Sequence, residues 1–186
     1  MPADMNAVQT GFEGLLVLEP RVFGDERGYF FESYNEATHK GLGLHHHWVQ
    51  DNKSSSTHGV IRGLHFQKPP YAQTKLVRAI EGEILDVVVD LRKNQPTFGK
   101  YFSVLLSAEN KKQILVPKGF AHGFSVLSPT AQVMYKCDAL YNKESEAGIV
   151  YNDPALKINW QVDPANIVVS DKDRILPTFA NTESGF

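Results

Sequence analysis

Cysteine is nearly absent from this chain: Cys137 is the one such residue among 186. No disulfide can form within a single copy, which excludes the disulfide-stapled secreted scaffolds and favours a reducing compartment, the cytoplasm. No apolar run approaches the ~18 residues that a membrane span needs, and Met1 to Pro20 shows no basic-then-apolar leader pattern. An excess of charge is missing too. Lys and Arg number 19 against 21 Asp and Glu, a net charge of -2 with the signs interspersed. No sequence-wide field therefore draws the chain to a phosphate backbone, and nucleic acid is not the expected partner. Helical spacing is scarce: it predicts one helix, Tyr34 to Lys40, closed by Gly41. With no internal repeat or linker, residues 1–186 read as a single domain.

What the chain does contain is short β-type segments. Apolar residues make up 42%, and 14 Gly and 10 Pro are spread along the chain, the composition of a folded protein rich in turns. Leu15–Leu18, Gly28–Glu32, Gly59–Phe66, Leu76–Ile80, Ile84–Leu91, Tyr101–Leu106, Ile114–Val116, Phe124–Leu127 and Gln132–Cys137 are rich in Val, Ile, Leu, Phe and Tyr. Turn residues bound most of them. Glu81-Gly82-Glu83 and Asn94-Gln95-Pro96 read as tight connections, and Gly24 to Gly28 as a loop fixed by two glycines. Short strands at this spacing predict an all-β antiparallel sandwich or barrel of the jelly-roll group, with few short helices.

Two histidines stand out in that frame. His65 lies in Arg62-Gly63-Leu64-His65-Phe66 and His122 closes Pro117-Lys118-Gly119-Phe120-Ala121-His122. A jelly roll would aim both into its mouth, and imidazole is the side chain best suited to moving a proton near neutral pH. A core histidine is the plain alternative.

Eight motifs in order resemble those of the dTDP-4-dehydrorhamnose 3,5-epimerases. They are Gly24-Asp25-Glu26-Arg27-Gly28, Gln50-Asp51-Asn52, Arg62 to Gln67, Lys75-Leu76-Val77-Arg78, Pro96-Thr97-Phe98-Gly99, Gly119 to Phe124, Tyr135-Lys136 and Ser170-Asp171-Lys172-Asp173. The resemblance runs from about Gly14 to Pro177. It implies a cupin-type jelly roll, a homodimer and a dTDP-4-dehydro-6-deoxy-hexose substrate.

That chemistry gives the residues roles. In a 4-keto sugar the hydrogens on C3 and C5 flank the carbonyl, so removing either leaves an enolate whose charge collects on the C4 oxygen. A base and a cation are needed together. The resemblance implies His65 as base, Asp173 as the carboxylate that orients it, Tyr135 as the acid on the opposite face, and Lys75 as the electrophile, with His122 assisting. Read locally, Asp173 is not distinguished from Asp171, Tyr135 is a half-buried strand aromatic, and Lys75 is a strand lysine. By resemblance Arg27, Arg62 and Lys172 contact the nucleotide sugar, with Glu32, Gln50, Asn52, Tyr141 and Glu146 completing the set and Phe30 packing on the base.

A metal cupin is the competing reading, since such sites use a His-x-His pair, a Glu and a later His. Here Gln67 replaces the second His and Tyr71-Ala72 stands where the Glu belongs, so catalysis without metal or other cofactor is expected. His45-His46-His47 reads as a solvated loop, because adjacent residues on an extended chain point to alternate faces. Two rivals to the double epimerase remain: an enzyme that inverts only C3 or only C5, and a non-catalytic nucleotide-sugar-binding module.

Overall fold

The computed structural model describes residues 4–186. Thirteen strands dominate them: β1 (Met5–Gln9), β2 (Leu16–Pro20), β3 (Phe23–Asp25), β4 (Gly28–Phe30), β5 (Gln50–Thr57), β6 (Ile61–Gln67) and β7 (Lys75–Glu81). There follow β8 (Glu83–Asp90), β9 (Tyr101–Ser107), β10 (Gln113–Val116), β11 (Phe120–Val126), β12 (Thr130–Cys137) and β13 (Glu146–Gly148). Two α-helices are short, α1 (Glu36–Gly41) and α2 (Asp171–Arg174). A six-stranded sheet in the order β1-β2-β10-β7-β12-β5 faces a five-stranded sheet in the order β13-β6-β11-β8-β9, and β3 pairs with β4 as a separate hairpin. All the strand pairings are antiparallel, as in the jelly roll that the sequence predicts.

Side-chain alternation explains the layers. Ile84 and Val88 of β8 join Val77, Ala79, Ile114, Phe120, Phe124 and Val133 in the core between the sheets, whereas Leu85, Val87 and Val89 pack outward. The outward set is covered by the chain after β13, through Ile149, Leu156, Trp160 and Val169. On the other side, Leu16, Leu18, Leu76 and Leu115 are capped by Tyr34, Leu42, Leu44 and Trp48. Both sheets are thus buried on two faces over part of their area, which is why β8 and β11 read as nearly unbroken apolar runs.

Several boundaries differ from the sequence expectation. β11 begins at Phe120 rather than Phe124, and β1, β3, β5 and β13 fall outside the segments predicted as strands. β5 was hidden by its composition, Gln-Asp-Asn-Lys-Ser-Ser-Ser-Thr, which has no apolar face although it pairs along its whole length with β12. Gly24 and Asp25 belong to a hairpin arm, and the expected loop shrinks to the turn between β3 and β4. α1 starts two residues later than Tyr34 because Asn35 caps it, its side chain accepting from the amides of Ala37 and Thr38. α2 was too short to show a helical period.

Candidate active site

The inner faces of the two sheets diverge around a cavity of about 630 Å³ that reaches from β5, β7 and β12 on one wall to β6, β11 and α2 on the other. The parity that buries the core also sets this lining. His122 shares a face with Phe120 and Phe124, Asp86 with Ile84 and Val88, Lys75 with Val77 and Ala79, and Tyr135 with Val133 and Ala131. His65 is the register partner of His122 across β6 and β11, so the two imidazoles stand side by side on one wall. Tyr135 and Lys75 belong to the other wall, with the Lys75 ammonium 5.7 Å from the Tyr135 ring centre.

His65 Nε2 is 2.7 Å from Asp173 Oδ1, and the second carboxylate oxygen accepts from the backbone N–H of Gly63 at 3.1 Å. Donation of Nε2–H to Asp173 leaves the lone pair on Nδ1 free to take a proton. Burial pushes the Asp173 carboxyl up, yet the His65 hydrogen bond and charge, with the Gly63 amide, bring it below the usual carboxylate range. Ser170 caps α2, its hydroxyl accepting from the amide of Asp173. Gly63 makes the close approach possible. A Cβ there would lie 2.6 Å from the Cα of Gly123 and 2.9 Å from the carbonyl of His122, on a backbone with φ of +126°.

On the facing wall, burial lowers the Lys75 ammonium from its ordinary range, while the neighbouring Cys137, Asp86 and Glu146 work against that shift. Burial raises the Tyr135 phenol, so at neutral pH it carries its proton. Its register partner Asn52 sends its amide 3.8 Å to the Cys137 sulfur, a thiol that burial pushes up to about 11 and that therefore stays protonated. His122 Nε2 lies 2.8 Å from Oδ2 of Asp86, which is fully buried.

The mouth is polar. Arg62 donates to the Ser56 hydroxyl at 3.0 Å and lines the cavity with Lys172. Glu146 accepts from Lys172 at 2.7 Å and from the Tyr141 hydroxyl at 2.9 Å, and these contacts overcome burial to hold its carboxyl below the usual range. Gln50 donates to Asn52 and accepts from the backbone N–H of Tyr141. His65, Lys75, Tyr135, Asp173, His122, Arg62, Lys172 and Asn52 therefore share one cavity, with Gln50, Tyr141 and Glu146 on an adjoining recess. Arg27, Phe30 and Glu32 do not line either. Arg27 pairs with Asp25 inside the β3–β4 hairpin, Phe30 is 67% exposed there, and Glu32 accepts from Asn35.

Sequence reasoning passed over Asp86, whose signal was a lone carboxylate within Ile84-Leu85-Asp86-Val87-Val88-Val89. The serines of β5 were missed as well. Gln67, where a metal cupin would need histidine, donates to the carbonyls of Tyr71 and Leu140 and accepts from the Asn142 amide, so its side chain ties two loops together. Of the three adjacent histidines, His46 packs on Trp48 while His45 and His47 are exposed.

A jelly roll with a carboxylate-backed histidine on one wall of a cavity and a tyrosine and lysine on the other is the architecture of a cupin-type enzyme. Comparison with known proteins makes the assignment specific. A family model described as dTDP-4-dehydrorhamnose 3,5-epimerase matches residues 9–181. A Shigella flexneri protein named dTDP-4-dehydrorhamnose 3,5-epimerase is 52% identical over 170 residues, covering 91% of this chain and 93% of its own length. The crystal structure of dTDP-4-dehydrorhamnose 3,5-epimerase from Elizabethkingia anophelis NUHP1 superposes with a TM-score of 0.92 at 52% identity, over 96% of this chain and 98% of that one. The dTDP-6-deoxy-D-glucose-3,5-epimerase RmlC from Legionella pneumophila Philadelphia 1, solved in complex with dTDP-4-keto-L-rhamnose, gives a TM-score of 0.91 at 44% identity, over 96% of this chain and 95% of that one. This chain belongs to the dTDP-4-dehydrorhamnose 3,5-epimerase family.

Proposed function

We propose that this enzyme converts dTDP-4-dehydro-6-deoxy-D-glucose to dTDP-4-dehydro-L-rhamnose by inverting C3 and C5, a step of dTDP-L-rhamnose biosynthesis. The observation that carries the reading is the opposition of His65, held by Asp173 at 2.7 Å, to Tyr135 across one cavity. Inversion requires a proton to leave one face of the sugar and another to arrive at the other face, which a base and an acid on opposite walls can accomplish. His65 Nδ1 takes the proton alpha to the ketone, and the Asp173 carboxylate stabilises the imidazolium that results. Charge then moves to the C4 oxygen, where the Lys75 ammonium and His122 meet it. The Tyr135 phenol protonates the carbanion from the other side and is reprotonated from solvent.

Arg62 and Lys172 supply cations for the diphosphate, and Tyr141 a half-exposed aromatic face for the nucleotide base. The exposed aromatics Phe23, Tyr29 and Phe30 support a homodimer in which the hairpin of one copy, with Arg27, Phe30 and Glu32, completes the nucleotide site of the other. Catalysis is proposed to need no metal, which retention of full turnover in EDTA would support. The single buried cysteine suits a cytoplasmic enzyme.

Replacing His65 with Ala tests the reading against a binding module. Turnover is expected to fall at least ~10²-fold, the lower contribution of a positioned base, while dTDP binding measured by calorimetry stays within a few-fold. An unchanged turnover would overturn it.

A further inference from the structure

Asp86 has no place in the proton path from His65 to Tyr135, yet it is fully buried on the inner face of β8, between Ile84 and Val88. Two features set it apart from a structural acid. Its Oδ2 takes the Nε2 edge of His122 at 2.8 Å, whereas its Oδ1 is buried with no hydrogen-bond partner. An apolar residue would continue the strand without leaving a bare buried oxygen, so the carboxylate is a poor choice for stability. The His122 side chain is 8% exposed and the His65 side chain 33%, so the two neighbouring His–Asp pairs differ, one dry and one open to the cavity.

We propose that Asp86 is a positioning residue for the reaction proposed above: it fixes His122 with Nε2–H turned away from the cavity and Nδ1 toward it, and its negative charge favours the Lys75 ammonium that meets the C4 oxygen. This rests on the epimerase reading of the cavity. In chemical terms, an anion behind the cavity wall attracts the ammonium that faces the enolate oxygen; burial pushes the Asp86 carboxyl up, and the contact with His122 and the charge of Lys75 work against that rise. The same anion opposes the loss of charge that burial imposes on Lys75. The His65–Asp173 pair prepares a base; the His122–Asp86 pair stands directly beside it on the same wall, His122 being the register partner of His65, and supports Lys75 as the electrophile.

The test compares Asp86→Asn, which keeps an acceptor for His122 but removes the charge, with Asp86→Leu, which removes both. For Asp86→Asn, kcat is expected to fall about tenfold to a hundredfold, with KM and dTDP affinity within twofold of the parent. Asp86→Leu is expected to lose more. Ring ¹⁵N NMR of His122, read without substrate, should show Nε2 protonated in the parent and in Asp86→Asn, and a tautomer mixture in Asp86→Leu. A kcat for folded Asp86→Asn within threefold of the parent, or a KM that rises while kcat holds, overturns the electrostatic role. A parent spectrum with Nε2 bare overturns the proposal outright, whether or not either variant folds. If the parent fails to exchange sugar hydrogens, the epimerase reading falls separately, and with it the role of Asp86 in turnover; the NMR result still decides whether Asp86 orients His122.

Discussion

Asp173 shows how one side chain ties the folding of a helix to the chemistry of a strand. Its amide is capped by Ser170, one oxygen holds His65, and the other takes the Gly63 N–H. Because its folded carboxyl titrates below its ordinary value of 3.8, it contributes stability that is present above that value and lost as pH falls through the lower folded value. Asp173→Asn should therefore be less stable than the parent at neutral pH, and the gap between their melting temperatures should close below about pH 3.8. Turnover should fall by one to two orders of magnitude, about the share a base loses when its tautomer is no longer held. Equal melting temperatures at neutral pH would show that the carboxylate is not stabilised by its partners. The proposed catalytic residues were legible one by one only through their motifs. Nothing local in Ser170 to Asp173 separates Asp173 from Asp171; that choice is made by the cap at Ser170, which turns Asp173 inward.

Elements position the site through one close contact. β6 and β11 shift register between His122 and Phe124, and at that irregularity Gly63 meets Gly123. Gly63→Ala adds a Cβ where backbone already stands at 2.6 Å, at a φ that L side chains rarely adopt. The variant should lose ~2–4 kcal/mol of stability in chemical unfolding, and activity should drop more steeply than stability because the same peptide anchors Asp173. A variant with parental stability would mean that the two strands can separate without cost. This spacing was not legible in the chain. The apolar strands β8 and β12 announced themselves by alternation, whereas β5 was invisible because its inward residues are polar: Asn52 and Ser54 face a cavity rather than a core, and Ser56 accepts from Arg62. A strand that serves a wet site carries the composition of a loop.

At the scale of the molecule, the outstanding feature is the β3–β4 hairpin, which presents Phe23, Tyr29 and Phe30 at 45%, 62% and 67% exposure. Aromatic exposure of that extent marks a contact surface. With a second copy as the proposed occupant, sedimentation should find a dimer, and the double substitution Phe23→Ala, Phe30→Ala should weaken it and raise KM for the nucleotide sugar with kcat less affected. A monomeric parent would contradict this. The all-β class and the jelly-roll group were readable from strand spacing, and the cupin type followed from resemblance. The second sheet faces, closed by the chain after β13 and by Tyr34, Leu42, Leu44 and Trp48, were not, because outside the short helix α1 those covers have no period of their own.

The central claim is that one cavity removes and returns protons at two carbons flanking a ketone. It is tested most directly by incubating the protein with dTDP-4-dehydro-6-deoxy-D-glucose in D₂O, without a reductase, and locating deuterium in the sugar by NMR and mass spectrometry. Deuterium at both C3 and C5 is the predicted result. Deuterium at one carbon alone would reduce the enzyme to a single-site epimerase, and its absence from both while the nucleotide sugar remains bound would contradict the account.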